Sequence, residues 1–217
     1  MTQPQRRRYL LQALLQERPE YRDLAVPQDT AGQKQLLRAL LNVREAAPCS
    51  PEFIRVQDEY LQAETAAKGI TDVNSLCPVR EGLYLWQGDI TTLRCDAIVN
   101  AANSGMTGCY VPNHRCIDNC IHTFAGVELR NACDRLMRRQ GRPGKSAKNP
   151  SASMQISVRC LTHWKNNPAK KAAAHTGTAA FNFYDSVLSA GPSAGVTLLL
   201  ATGMNRLANL FLPRLRT

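Results

Sequence analysis

The chain has 217 residues, enough for one well-buried domain with a small appendage. No stretch reaches about 18 consecutive apolar residues and no apolar run ends in a cleavage site, so neither a membrane span nor a signal peptide is expected, and the cytoplasm is the default compartment. The net charge of +10 is unevenly spread: residues 1–134 carry 14 Lys/Arg against 16 Asp/Glu, while residues 135–217 carry 13 against one acid, Asp185.

The first predicted helix is RRRYLLQALLQE, residues 6–17, whose Tyr9, Leu10, Leu11, Leu14 and Leu15 form a broad apolar stripe. Pro19 stops it. A second helix is predicted from about 29 to 44, with Asp29 or Thr30 as its cap and Leu36, Leu37, Leu40 and Leu41 as its apolar face. Pro48 and Pro51 mark a connector. Residues 52–67 are helical again, with Phe53, Val56, Tyr60 and Leu61 at helical spacing.

The pattern then changes. GLYLW, residues 82–86, and CDAIV, residues 95–99, are strand candidates. Between them Gly88-Asp89-Ile90 reads either as a ligand-binding turn or as a cap. Asn100 and Asn103 leave the second strand in a loop of small residues that suits close approach to a ligand, or plain turn chemistry. From Ile117 the chain is helical, with Asp118 in the first turn. Gly126 should break the helix, and another follows to about Arg139 with Leu129, Cys133, Leu136 and Met137 inward. Cys120 and Cys133 read as core packing, and His122 as a surface histidine. After Gln140 the organisation decays into RPGKSAKNPSAS and short apolar pieces, Ile156–Val158 and Val196–Leu200, with an ambiguous segment from Phe181 to Leu188.

Eight cysteines without secretion signals argue for metal binding, catalysis or core packing rather than a disulfide scaffold. GCYVPNHRC, residues 108–116, brings Cys109, His114 and Cys116 together. Two thiolates and an imidazole suit zinc and leave a fourth position open. The competing readings are a mostly buried cysteine pair beside a surface histidine, and a thiol nucleophile, which lacks an identifiable base.

Residues 85–133, from LWQGDITTLRCDAIVNAANSG to the helix ending at Cys133, resemble the start of a macrodomain. The resemblance is to the zinc-containing type found in bacteria and fungi, some of them encoded beside sirtuin-type transferases. GDIT, DAIVNAAN and CxxxxHxCIDNxIH occur in the expected order, and LLRALLNVR and VQDEYLQAE in the helical section are similar too, so the likeness covers about residues 7–139. It implies a three-layer α/β/α macrodomain over residues 74–217, preceded by a helical extension over 1–73. It implies hydrolysis of ADP-ribose from mono-ADP-ribosylated protein, with ADP-ribose or the modified protein as partner. By match to the motif, Asp89 would contact the adenine amine and Ile90 would offer backbone beside it. Asn103 would hold the distal ribose, Cys109, His114 and Cys116 would hold Zn2+, and Cys116, Ile117 and Asp118 would line that end of the pocket. Asn103 and Asp118 are then the candidate catalytic residues. A monomer is expected, with no membrane partner.

A glycine-rich diphosphate loop of the STGxFGxP type is not found. His175-Thr176-Gly177 and Ala201-Thr202-Gly203 hold only a fragment of it. The charge break at about residue 140 is what a shifted reading frame produces; a divergent basic tail is the alternative. Three other functions compete: a non-catalytic ADP-ribose-binding module, a non-functional disrupted family member, and a nucleic-acid binder. The last is weakened by sparse aromatics, Trp164, Phe181, Phe183, Tyr184 and Phe211, without regular interleaving, so no specific nucleic-acid partner is expected.

Overall fold

The structure is a computed structural model that describes residues 1–80, 83–95, 98–100, 102–141 and 157–158. Predictions for Phe181–Leu188 and Val196–Leu200, the two Thr-Gly fragments and the five C-terminal aromatics lie outside the described residues, as do Asp96, Ala97 and Ala101 of the DAIVNAAN motif.

Three helices come first, each with its own start signal. Helix α1 (Gln3–Glu17) begins earlier than its apolar stripe predicts, because Thr2 and Gln5 form a reciprocal capping box and Pro4 sits in the first turn. Asp29 caps α2 (Thr30–Val43) by accepting the Gly32 N–H at 2.8 Å. Ser50 caps α3 (Pro51–Ala67), with Pro51 at the first helical position.

The predicted stripes meet. Leu10, Leu11, Leu14, Leu15, Leu37, Leu40, Leu41, Phe53, Val56, Tyr60 and Leu61 form one buried core, which also takes in Val127. Each large side chain buried there stabilises the fold by about 1.5–3 kcal/mol relative to exposure. Two polar ties close this layer. Arg7, almost fully buried, donates to Gln33, and Arg44 grips the Glu17 carboxylate through two nitrogens at 2.7 and 2.9 Å.

The strands are short. Strand β1 (Thr71–Asp72) lies ahead of β2 (Pro78–Arg80), β3 (Leu83–Tyr84), β4 (Leu93–Arg94) and β5 (Ile98–Val99). Strand β1 pairs parallel with β4, and β2 pairs antiparallel with β3 through an irregular register. Strand β5 pairs antiparallel with β6 (Ser157–Val158). The GLYLW and CDAIV predictions hold in part, as β3 and β5. Strands β1, β2 and β4 carry no alternating pattern that a sequence could display over two or three residues.

Helix α4 (Ile117–Ala125) and helix α5 (Val127–Gln140) follow, separated by Gly126 as expected. That glycine has φ +80°, and a Cβ there would lie 2.4 Å from the Gln57 amide. Ile121 and Ala125 on α4 join Val73, Ile90, Leu93 and Ile98 in a second core, while Phe124 packs against both cores. The class is therefore mixed α/β with an N-terminal helical stretch, as expected. Among the described residues no helix is long and apolar enough to cross a membrane.

Candidate functional site

The loop between β5 and α4 has little regular backbone pairing. Its shape is fixed by side chains. Asn103 closes the first turn: its Oδ1 accepts the Gly105 and Met106 N–H groups at 2.9 and 3.1 Å, and its Nδ2 donates to the Gly108 carbonyl at 3.0 Å. Met106 and Asn113 both adopt left-handed backbone, with φ +58° and +55°. Asparagine tolerates that region well; at Asn113 the N–H is also held by Asn42 Oδ1 at 3.0 Å.

Three potential metal ligands converge at the end of this loop. The donor atoms of Cys109, His114 and Cys116 all lie within 4.8 Å of one another, and Cys109 Sγ is 3.5 Å from His114 Nδ1. Tetrahedral zinc holds sulfur and nitrogen donors about 3.5–3.8 Å apart, so this donor set fits zinc in chemistry and nearly in spacing. His114 is exposed and both cysteines are half-buried, leaving one side open to solvent.

Cys116 is also the N-cap of α4, its Sγ accepting the Asn119 N–H at 3.4 Å. Burial pushes the Cys116 thiol up, the Asn119 N–H pulls it down and nearby Cys109 raises it, for a net rise. A metal must therefore displace a proton there as it binds. By contrast Cys133 is a buried core thiol, pushed up to about 12 by desolvation, which agrees with its expected packing role.

Asp118 is buried in the first turn of α4. Its Oδ1 accepts Asn100 Nδ2 at 2.8 Å, and burial raises its carboxyl. Asn100 is therefore a core residue rather than an open ligand group at the strand end. His122 corrects the expectation of a surface histidine: it is 6% exposed, because the buried face of α4 runs Asp118, Ile121, His122 and Ala125. Its Nε2 lies 3.6 Å from Asp118 Oδ1, too long for a good hydrogen bond. Its ring lies directly under Gly108, where a Cβ would come within 2.7 Å of it. Desolvation, aided by the positive charge of Arg130, lowers His122 to about 3, so the imidazole is neutral.

The Asp89 turn packs near the other end of α4. As the capping reading had it, Asp89 Oδ1 accepts both the N–H and the hydroxyl of Thr91. Its Oδ2 accepts Lys68 Nζ at 3.1 Å, and that ammonium also sits 3.4 Å over the Phe124 ring. Burial pushes the carboxyl up, but the Thr91 and Lys68 contacts outweigh it and the net shift is downward. Ile90 is buried in the second core beside this turn. A rise of about 1.5 Å per residue puts Phe124 about 12 Å along the helix from Cys116. The two expected binding regions thus flank one short helix.

Several polar residues that carry the site were not singled out from sequence. Arg130, 5% exposed, donates to Thr107 and to the carbonyls of Leu41, Asn42 and Arg44, and stacks 4.4 Å from the Tyr110 ring centre. Asn119 donates to the carbonyls of Cys109 and Val111 at 3.3 and 3.0 Å. Arg38 of α2 donates to the His114 carbonyl at 2.8 Å and to Asn119 Oδ1 at 3.0 Å. An arginine on a helix has no sequence mark that separates a solvated side chain from one donating to a distant loop. The one available signal was that Arg38 and Asn42 lie on the polar side of LLRALLNVR, a segment already singled out by resemblance.

Comparison with known proteins bears on this geometry. The Macro domain family matches residues 99–195, a span that runs past residue 139. A protein-ADP-ribose hydrolase from Treponema medium is 54% identical over 145 residues, covering 65% of this chain and 56% of that protein. A protein-ADP-ribose hydrolase from Staphylococcus aureus strain COL is 45% identical over 157 residues, covering 71% of this chain and 59% of that protein. The matched regions span somewhat more than half the length of these relatives.

Proposed function

Starting from a chain homologous to macrodomain proteins and to protein-ADP-ribose hydrolases, we propose that it removes ADP-ribose from mono-ADP-ribosylated protein in a zinc-dependent, glycosidase-type hydrolysis. The observation that carries this reading is the convergence of Cys109, His114 and Cys116 within 4.8 Å at the N-terminus of α4. When bound there, zinc supplies a Lewis acid that polarises oxygen and acidifies water.

The protein's own residues bind and orient. Cys109, His114 and Cys116 hold the metal. Asn103 still has one Nδ2 hydrogen beyond its loop contacts, and it donates that hydrogen to a hydroxyl of the distal ribose. Asp118, fixed by Asn100, sets the polarity beneath the sugar and accepts a proton from a ribose hydroxyl or water at its carboxylate. Asp89 keeps a lone pair on Oδ2 for the exocyclic amine of adenine, with Ile90 packing below and Ile117 lining the far end. Adenine and distal ribose then lie toward opposite ends of α4, which suits an elongated ligand.

The test is release of ADP-ribose from a mono-ADP-ribosylated protein by the zinc-loaded chain, the chelated chain and Cys116→Ser. Release by the first and loss by at least 100-fold in the other two is expected. Saturable ADP-ribose binding without release identifies a binding module instead. For residues 140–217 the charge break supports a disrupted or divergent segment. An STG-like loop appearing in another frame of the nucleotide sequence near codon 140 supports disruption; its absence overturns it.

A further inference from the structure

We propose that Arg38, on the second helix of the N-terminal extension, is a positioning residue of the metal centre: it sets the orientation of the Asn119 amide and so the shape of the ligand-bearing loop. The inference rests on the reading of Cys109, His114 and Cys116 as metal ligands.

The loop from Gly108 to Cys116 carries all three ligands but has little internal backbone support. Among the described residues its own backbone pairing is the His114 N–H to the Val111 carbonyl, at 3.2 Å. The carbonyls of Cys109 and His114 take donors from side chains, the Val111 carbonyl takes a side-chain donor beside the His114 N–H, and those side chains form one connected unit. Asn119 Nδ2 serves Cys109 and Val111, and Arg38 Nη2 serves His114. Two of these carbonyls belong to metal-ligating residues.

An asparagine amide can point either way, and only one orientation works here. Asn119 is fully buried. With Nδ2 toward the loop carbonyls, Oδ1 faces α2, where it meets Arg38 Nη2 at 3.0 Å. Rotation by 180° would set Oδ1 against two carbonyl oxygens and Nδ2 against a guanidinium, which can only donate. Arg38 therefore selects the productive amide orientation. The same guanidinium nitrogen lies 3.5 Å from Cys120 Sγ.

A neighbouring contact points the same way. Asn42, one turn further along α2, accepts the N–H of Asn113 within the loop and donates to Thr123 on α4. Helix α2 thus holds the ligand loop at two points, His114 and Asn113. Partners that orient metal ligands commonly contribute 10–100-fold in metal affinity.

The experiment is zinc titration of the full chain against a competing chromophoric chelator, for wild type, Arg38→Met, Arg38→Lys and Arg7→Met. Thermal melts of the metal-free proteins are run in parallel. Arg7 is the control, since it is a buried arginine of α1 whose donors go to Gln33 and Thr30 within the extension. The expected result is a loss of zinc affinity of about 10–100-fold in Arg38→Met, with Arg7→Met within twofold of wild type even though its melt is lowered. Lysine keeps a donor but ends about one bond short of the guanidinium nitrogens, so Arg38→Lys should fall between wild type and Arg38→Met.

Zinc affinity within twofold of wild type in Arg38→Met overturns the proposal while leaving the metal reading intact. A wild type that binds no zinc defeats the metal reading itself. Should Arg38→Met not melt cooperatively, Arg38→Lys decides: reduced zinc affinity on an unchanged metal-free melt supports the role, and unchanged affinity overturns it. Equal losses in the Arg38 and Arg7 variants also overturn it, because general loosening of the extension then explains both.

Discussion

Helices α1–α3 and the loop from Ala102 to Cys116 are ordered by different forces. Each of the three helices brings a cap and an apolar stripe, and the stripes meet in one core built mainly from leucine. The loop brings neither a stripe nor a ladder. It is held by amides and guanidinium groups from Asn103, Asn119, Arg38, Asn42 and Arg130 that satisfy its backbone. Apolar burial is non-directional and tolerates modest repacking. Hydrogen bonds to single carbonyls are directional, so one lost donor changes where a ligand atom points. The extension is accordingly suited to supply stability, and the loop geometry.

The largest effect should come from cutting the apolar side of this contrast. Leu37 is 1% exposed in the helical core. Leu37→Ala should cost about 2–5 kcal/mol of unfolding free energy, read by denaturant titration of helical circular dichroism. A cost below about 1 kcal/mol would mean that the extension is not packed as described.

An intermediate effect should come from acid acting beneath the loop. The buried, neutral His122 has a folded-state pKa lowered to about 3, against an ordinary value of 6.5. Its contribution is complete above pH 6.5 and is lost as pH falls toward 3, because the unfolded chain takes up the proton first. By pH 5 the loss is about 2 kcal/mol. The raised carboxyl of Asp118 works in the opposite sense, so the measurement is a difference. In metal-free protein, the stability drop between pH 8 and 5 should be smaller in His122→Gln than in wild type by about that amount. Equal drops in the two proteins would remove His122 as an acid-sensitive support.

The smallest effect should come from a local signal in the extension. Asp29→Ala removes the α2 cap and should cost about 1 kcal/mol, seen as a modest fall in the denaturation midpoint. If zinc affinity falls more steeply than stability in this variant, α2 is coupled to the loop more tightly than its cap alone requires.

The legible parts of the molecule share a property. Leu10, Leu14, Leu37 and Leu40 recur at helical spacing, Asp29 precedes such a run, and Gly126 interrupts one, so local pattern sufficed for α1 to α5. The closeness of Cys109, His114 and Cys116 was legible for a related reason, since a short loop ending at a helix start limits how far its donor groups can separate. Strands β1, β2 and β4 were not legible, because two or three residues cannot show alternation. His122 was misplaced because its position relative to Cys120 says which side of α4 it occupies, but not which side is buried.

Sequence alone determined the helical segments, the leucine faces, the charge break near residue 140 and the closeness of Cys109, His114 and Cys116, since each depends on residues within a few positions of one another. Tertiary structure decided that His122 lies under Gly108, that Lys68 joins Asp89 to Phe124, that Arg130 closes the end of α2, and that Arg38 reaches across to Asn119. These contacts join residues 14 to 89 positions apart. An arginine, lysine or asparagine gains its partner only when packing removes water from both, and a one-dimensional pattern does not record where that happens.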